Sequence, residues 1–128
     1  MKIKTYKKKF VEEINEQIWR KRMNLEYDKT KVPSVLKLQA DKITELDGLK
    51  TELAAIDPND TTKLTRTNRK GLEIKIAKAE EFVVSCDETI SLINESITKD
   101  EEKIKNLKER VEFANNFVYD DSSHAEHN

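Results

Sequence analysis

From Ile76 onward a β-branched residue returns at every seventh position: Ile76, Val83, Ile90, Ile97, Ile104, Val111 and Val118. Ala79, Cys86, Ile93, Asp100, Leu107 and Ala114 stand three places behind them, and Leu72 leads in the same register. An apolar recurrence of 3.5 residues on this scale is the mark of a helix with one apolar edge, the heptad seam of a coiled coil. As one helix the segment would run about 70 Å at 1.5 Å per residue. Its edge has to be covered by a neighbour. β-branched residues at the first seam position are what parallel two-stranded coils favour. Asp100 argues against a parallel pair of identical chains, because two carboxylates would then face each other across the seam. Ala79 and Ala114 make thin layers. Thr98-Lys99-Asp100-Glu101 also reads as a capping box, so a helix could restart near 94–100. The seam nevertheless keeps its phase from Ile97 to Ile104, which favours continuity.

The rest of the chain is compatible with an all-α fold and little else. Among 128 residues there are two glycines and two prolines, too few for the tight turns of a multi-stranded sheet or for a Gly-rich nucleotide loop. Charged residues make up 38% and apolar ones 36%, so a thick spherical core is not expected, whereas helices that bury one stripe each need less. Thr5 can cap a first helix carrying Phe10, Val11, Ile14, Ile18 and Leu25 on one face, flanked by Trp19, Met23 and Tyr27 at four-residue spacing. Pro33 biases Val32 away from helix and suits the first turn of a second helix, which carries Leu36, Ile43, Leu46, Leu49, Leu53 and Ile56. Asp57-Pro58-Asn59-Asp60 marks a reversal, and Gly71 suits an end or a kink. These signals predict a single helical domain over 1–119 with helices about 5–30, 33–56 and 61–119: an N-terminal helical hairpin and a long C-terminal heptad helix. The hairpin would cover about half of the third helix. The remainder would pair with another chain or bend back near Asn94–Thr98 to close a four-helix bundle. Residues 120–128 are expected to form a disordered acidic tail.

Charge is distributed unevenly along the chain. Residues 1–32 hold 10 basic and 5 acidic side chains, and residues 80–128 hold 5 basic and 13 acidic. The two ends therefore attract, either by antiparallel packing within one chain or head to tail between chains. No segment approaches the ~20 apolar residues of a membrane span, and the basic start runs into Phe10-Val11-Glu12-Glu13 rather than an apolar signal core. Glu12, Glu13 and Glu16 oppose binding to an anionic lipid surface. With one cysteine, Cys86, no disulfide framework can form within the chain, and a cytoplasmic location is expected.

Catalytic chemistry has little to stand on. Both histidines, His124 and His127, lie in the last five residues, so no Ser-His or Cys-His pair falls on the helical body. Cys86 sits in the seam as a small core residue. A tail holding two imidazoles does not supply the fixed tetrahedral set a structural metal needs, and a di-iron bundle needs inward Glu-x-x-His pairs that the helices lack. No catalytic residue, cofactor or metal is expected. Lys63, Arg66, Arg69 and Lys70 form a candidate phosphate-binding patch flanked by threonines. Lys2, Lys4, Lys7, Lys8 and Lys9, with Arg20-Lys21-Arg22 beside Trp19, could add to it.

The resulting expectation is a non-enzymatic helical interaction protein with a structural, assembly or adaptor role. Its partner-binding seam would be Ile76, Val83, Ile90, Ile93, Ile97, Ile104, Leu107 and Val111, meeting a second copy in a homo-oligomer or another helical protein. Two alternatives stay open: a nucleic-acid-binding accessory protein using the basic patch at 63–70 and the basic N-terminal helix, and a small inhibitor that binds a larger protein. Lys/Glu/Ile-rich helical chains are common among assembly factors, adaptors and small phage-type accessory proteins, but that is an association of composition and does not assign function.

Overall fold

A computed structural model describes residues 7–116 in full; beyond them the helical backbone is given as far as Ile3 and His127. The fold is all-α, with no strand among the described residues. It has two helices: α1, Ile3–Ala54, and α2, Lys63–His127. The tail over 120–128 and the two histidines lie outside the fully described residues.

The sequence signals for three helices are corrected at one point. Pro33 lies inside α1, and no reversal separates 5–30 from 33–56. An interior proline costs about 3 kcal/mol, through the lost N–H and the crowding of the carbonyl four residues earlier. Three apolar side chains ahead of it, Ile14, Ile18 and Leu25, are buried. At about 1.5–3 kcal/mol each, their burial outweighs the proline. The helix that continues through Pro33 carries these side chains onto Ile104 and Leu107 of α2. The capping box is also overruled. Thr98 donates its hydroxyl to the Asn94 carbonyl at 3.0 Å in mid-helix, and α2 runs unbroken through 94–100.

The chain divides into two compact units, each an antiparallel pair of helix segments. In the unit formed by Met1–Lys29 and Asn94–Asn128, Ile14, Ile18 and Leu25 of α1 cluster with Ile104 and Leu107 of α2, and Ile97 and Val111 pack against them. This is the antiparallel arrangement that the opposite charges of the two ends favour. The Ser96 hydroxyl donates to the Asp28 carboxylate at 3.1 Å across this pair. Asp100, 9% exposed, belongs to the same seam. Because the opposing segment is α1 rather than a second α2, Asp100 does not face its own copy.

In the unit spanning Thr30–Ile93, Leu46, Ala79 and Cys86 are buried, and Val35, Leu49, Leu53, Ile76, Val83 and Ile90 are half-buried at seam spacing. Gln39 fixes the register here. Its amide donates to the Val83 carbonyl at 3.0 Å and to the Asp87 carboxylate at 2.7 Å. Lys42 lies 5.0 Å from the Phe82 ring centroid and pairs with Glu45 at 2.8 Å. Leu36 and Ile43, expected on the buried face, are instead exposed beside it.

The reversal falls where Asp57-Pro58 predicts it. Asp60 accepts from the Thr62 backbone N–H at 3.0 Å and from the Thr65 hydroxyl at 2.8 Å, while the Thr65 N–H reaches the Thr62 hydroxyl oxygen at 3.3 Å. These bonds satisfy donors that the first turn of α2 would otherwise leave open. They also hold the Asp60 carboxyl below its ordinary pKa, the Thr62 backbone bond contributing most. Gly48 and Gly71 are ordinary helical positions, neither with a positive φ.

Candidate partner-binding surface

Of the eight residues expected to form the partner-binding seam, Ile104 and Leu107 are buried. Ile76, Val83, Ile90, Ile93, Ile97 and Val111 are half-buried. Within each unit the neighbour covering this edge is α1 of the same chain, and α1 carries a seam of its own at matching three- and four-residue steps. In the first unit those steps fall on Val11, Ile14, Ile18, Lys21, Leu25 and Asp28, which are buried or half-buried. In the second they fall on Val32, Val35, Gln39, Lys42, Leu46, Leu49 and Leu53, likewise shielded. Polar residues at Lys21, Asp28, Gln39 and Lys42 conceal this periodicity from a count of apolar residues.

A different surface stays open. Trp19, Met23 and Tyr27 stand one helical turn apart on α1 and are 61%, 53% and 64% exposed, on the side turned away from the seam. Side chains four apart form a continuous ridge on a helix, and Trp, Tyr and Met are among the residues enriched where proteins meet. The ridge is framed by charge. Arg20 pairs with Glu16 at 2.7 Å, and Glu26 lies 3.9 Å from Lys29. The four-residue spacing was visible in the sequence; its outward direction was not, because these residues read equally well as the flank of a buried face.

The basic patch is only partly available. Lys63, Arg66 and Lys70 are exposed on the first turns of α2, and spacings of three and four place them on one face. Arg69 is half-buried and donates to the Asp57 carbonyl at 3.3 Å, tying the loop to the helix. Asp60 adds a carboxylate at the same helix start. Three cations remain where four were expected.

Elsewhere in the first unit, an open groove of about 550 Å³ is lined by Arg22, Leu25, Glu26, Ile104, Lys105 and Glu109, among others. Its charges alternate in sign and do not converge on one point. No group of three or more His, Cys, Asp or Glu residues that could hold a metal ion occurs among the described residues. Cys86 is buried, as its seam position implies. No described helix is long and apolar enough to cross a membrane. No family model matches the chain, and no curated protein or solved structure is significantly similar to it.

Proposed function

We propose that this chain is a non-enzymatic helical interaction protein that offers the Trp19–Met23–Tyr27 ridge to a protein partner. The observation that carries the reading is the division of labour between two apolar surfaces. The heptad seams are consumed within the chain, while the outward ridge stays more than half exposed. Surface Trp and Tyr clustered on a rigid element are the kind of side chain that dominates binding energy when a partner covers them. A structural, assembly or adaptor role follows from binding without chemistry, and an inhibitor of a larger protein would use the same surface.

The test uses Trp19, the sole tryptophan. Its emission should be that of a hydrated indole in the isolated chain and should shift to the blue when a partner covers the ridge. Met23→Lys should prevent the shift without altering the far-ultraviolet circular dichroism. A blue-shifted emission from the isolated monomer would count against an open ridge.

A second reading, nucleic-acid binding, draws on the shared exposed face of Lys63, Arg66 and Lys70 at the positive end of α2. Titrating labelled DNA and RNA at two salt concentrations tests it. Binding should weaken steeply with salt, and changing the three residues to Gln should reduce it, whereas Arg69→Gln should act mainly on the loop. Salt-independent binding would remove this reading.

A further inference from the structure

Two copies of the ridge are suited to each other, and the charges beside it select one way of pairing. Rows of side chains four apart are inclined to the helix axis, and two such rows align when their helices cross at about −50°. Around a two-fold axis the crossing helices can run parallel or antiparallel. Arg20 lies on one flank of the row, three residues before Met23, and Glu26 on the other, three residues after it. When the row is laid along the crossing direction, both arrive level with Met23 on opposite sides. A parallel two-fold then sets Arg20 beside Glu26 of the second copy, twice. An antiparallel two-fold sets Arg20 against Arg20 and Glu26 against Glu26.

We infer that the Trp19–Met23–Tyr27 ridge binds a second copy of this chain, in a parallel crossing held by reciprocal Arg20–Glu26 pairs. This rests on reading the ridge as a partner surface and names its partner. The self-contact is isologous, the commonest way in which identical chains pair. Its area is adequate. Aromatic side chains bury roughly 150–250 Å² each, so at the observed exposures the three residues offer about 400 Å² per chain. Two copies remove about 800 Å², and the flanking charged stems bring the total near the ~1,000 Å² a specific contact needs. The affinity expected of so small a contact is in the micromolar range, about 1–100 µM. Arg20 can leave Glu16 or hold both carboxylates, since guanidinium offers five donors.

The experiment is sedimentation equilibrium of the full chain from low to high micromolar concentration. The expected result is a monomer–dimer equilibrium. Arg20→Glu alone and Glu26→Arg alone should each weaken it by about tenfold or more. The double exchange, Arg20→Glu with Glu26→Arg, should restore it to within a few-fold. Met23→Lys should leave a monomer. All these positions are exposed, so circular dichroism should show the fold intact. A wild-type chain that stays monomeric throughout overturns the inference, as does a dimer indifferent to Met23→Lys. A double exchange no better than either single one overturns the parallel crossing. If the chain is monomeric while a photo-crosslinker at position 19 joins it to a heterologous protein, self-pairing fails and the ridge remains a partner surface. If Met23→Lys changes neither association nor cross-linking, both readings fail.

Discussion

Replacing Pro33 by alanine should make this protein more stable, by an amount that separates one continuous helix from two. Inside a helix, proline cannot donate to the carbonyl four residues back, here that of Lys29, and its ring crowds that oxygen. Relative to alanine the penalty is about 3 kcal/mol. Part is recovered because proline restricts the unfolded chain, an effect of about 0.4–1 kcal/mol that alanine forfeits. The net gain for Pro33→Ala is therefore about 2 kcal/mol. For a chain of 128 residues each kcal/mol moves the midpoint by about 3–5 °C, so Tm should rise about 6–10 °C. The assay is thermal and urea unfolding followed by far-ultraviolet circular dichroism, with the urea midpoint rising at an unchanged slope. If Pro33 opened a separate helix after a turn, it would occupy the position where proline is favoured. The substitution would then be neutral or destabilising. Either result would refute the continuous α1 and return the fold to a three-helix arrangement.

Other perturbations test the packing and the caps. Asp100 is buried on the seam, and Asp100→Leu should stabilise the fold by about 1–2 kcal/mol in urea melts, since an apolar side chain of similar size avoids desolvating a carboxylate; a loss of stability would show that Asp100 holds a partner. Leu25→Ala, within the apolar cluster of the first unit, should cost about 2–3 kcal/mol, the lower part of the range for core truncations because two helices leave one side of the cluster shallow; a cost below ~1 kcal/mol would argue against that cluster. Gly71→Ala should stabilise by about 0.5–1 kcal/mol, because the added Cβ meets nothing within 4 Å and φ is not positive, and a destabilised variant would place Gly71 in a non-helical turn. Asp60 has its folded pKa lowered from 3.8 by bonds from Thr62 and Thr65, so its capping contribution is fully present above the ordinary carboxylate range and is lost as pH falls through the lowered value. The Thr62 amide resonance should report a titration below 3.8, and a titration at or above it would show that the cap is not made.

Much of this architecture can be read in the residues, and what cannot has a physical cause. The α2 seam was legible because β-branched residues mark nearly every first position, and the loop was legible because Asp57-Pro58-Asn59-Asp60 surrounds a proline with turn-forming and capping residues. The α1 seam was legible at Val11, Ile14, Ile18 and Leu25 and at Leu46, Leu49 and Leu53, and was interrupted at Lys21, Asp28, Gln39 and Lys42. Long or hydrogen-bonded side chains can occupy seam positions with their polar ends near water, as Gln39 does through Val83 and Asp87. Pro33 reads as a boundary because its local preference of about 3 kcal/mol is visible in the sequence, whereas the distant burial of Ile14, Ile18 and Leu25 is not. Thr98 is ambiguous in the sequence for a related reason: a hydroxyl that can cap a helix can equally bond the carbonyl four residues back. The partner surface depended on which of two apolar faces of α1 would be covered. That choice is made by α2, and the α1 sequence alone does not contain it.

The central claim is that α1 covers the α2 seam within one chain, and methyl nuclear Overhauser contacts in an isotopically diluted sample test it most directly. With labelled chain dispersed in an excess of unlabelled chain, contacts between the methyls of Ile14, Ile18 or Leu25 and those of Ile104 or Leu107 should persist at full intensity. Contacts that vanish on dilution and appear only between differently labelled chains would place the seam between molecules and contradict the account.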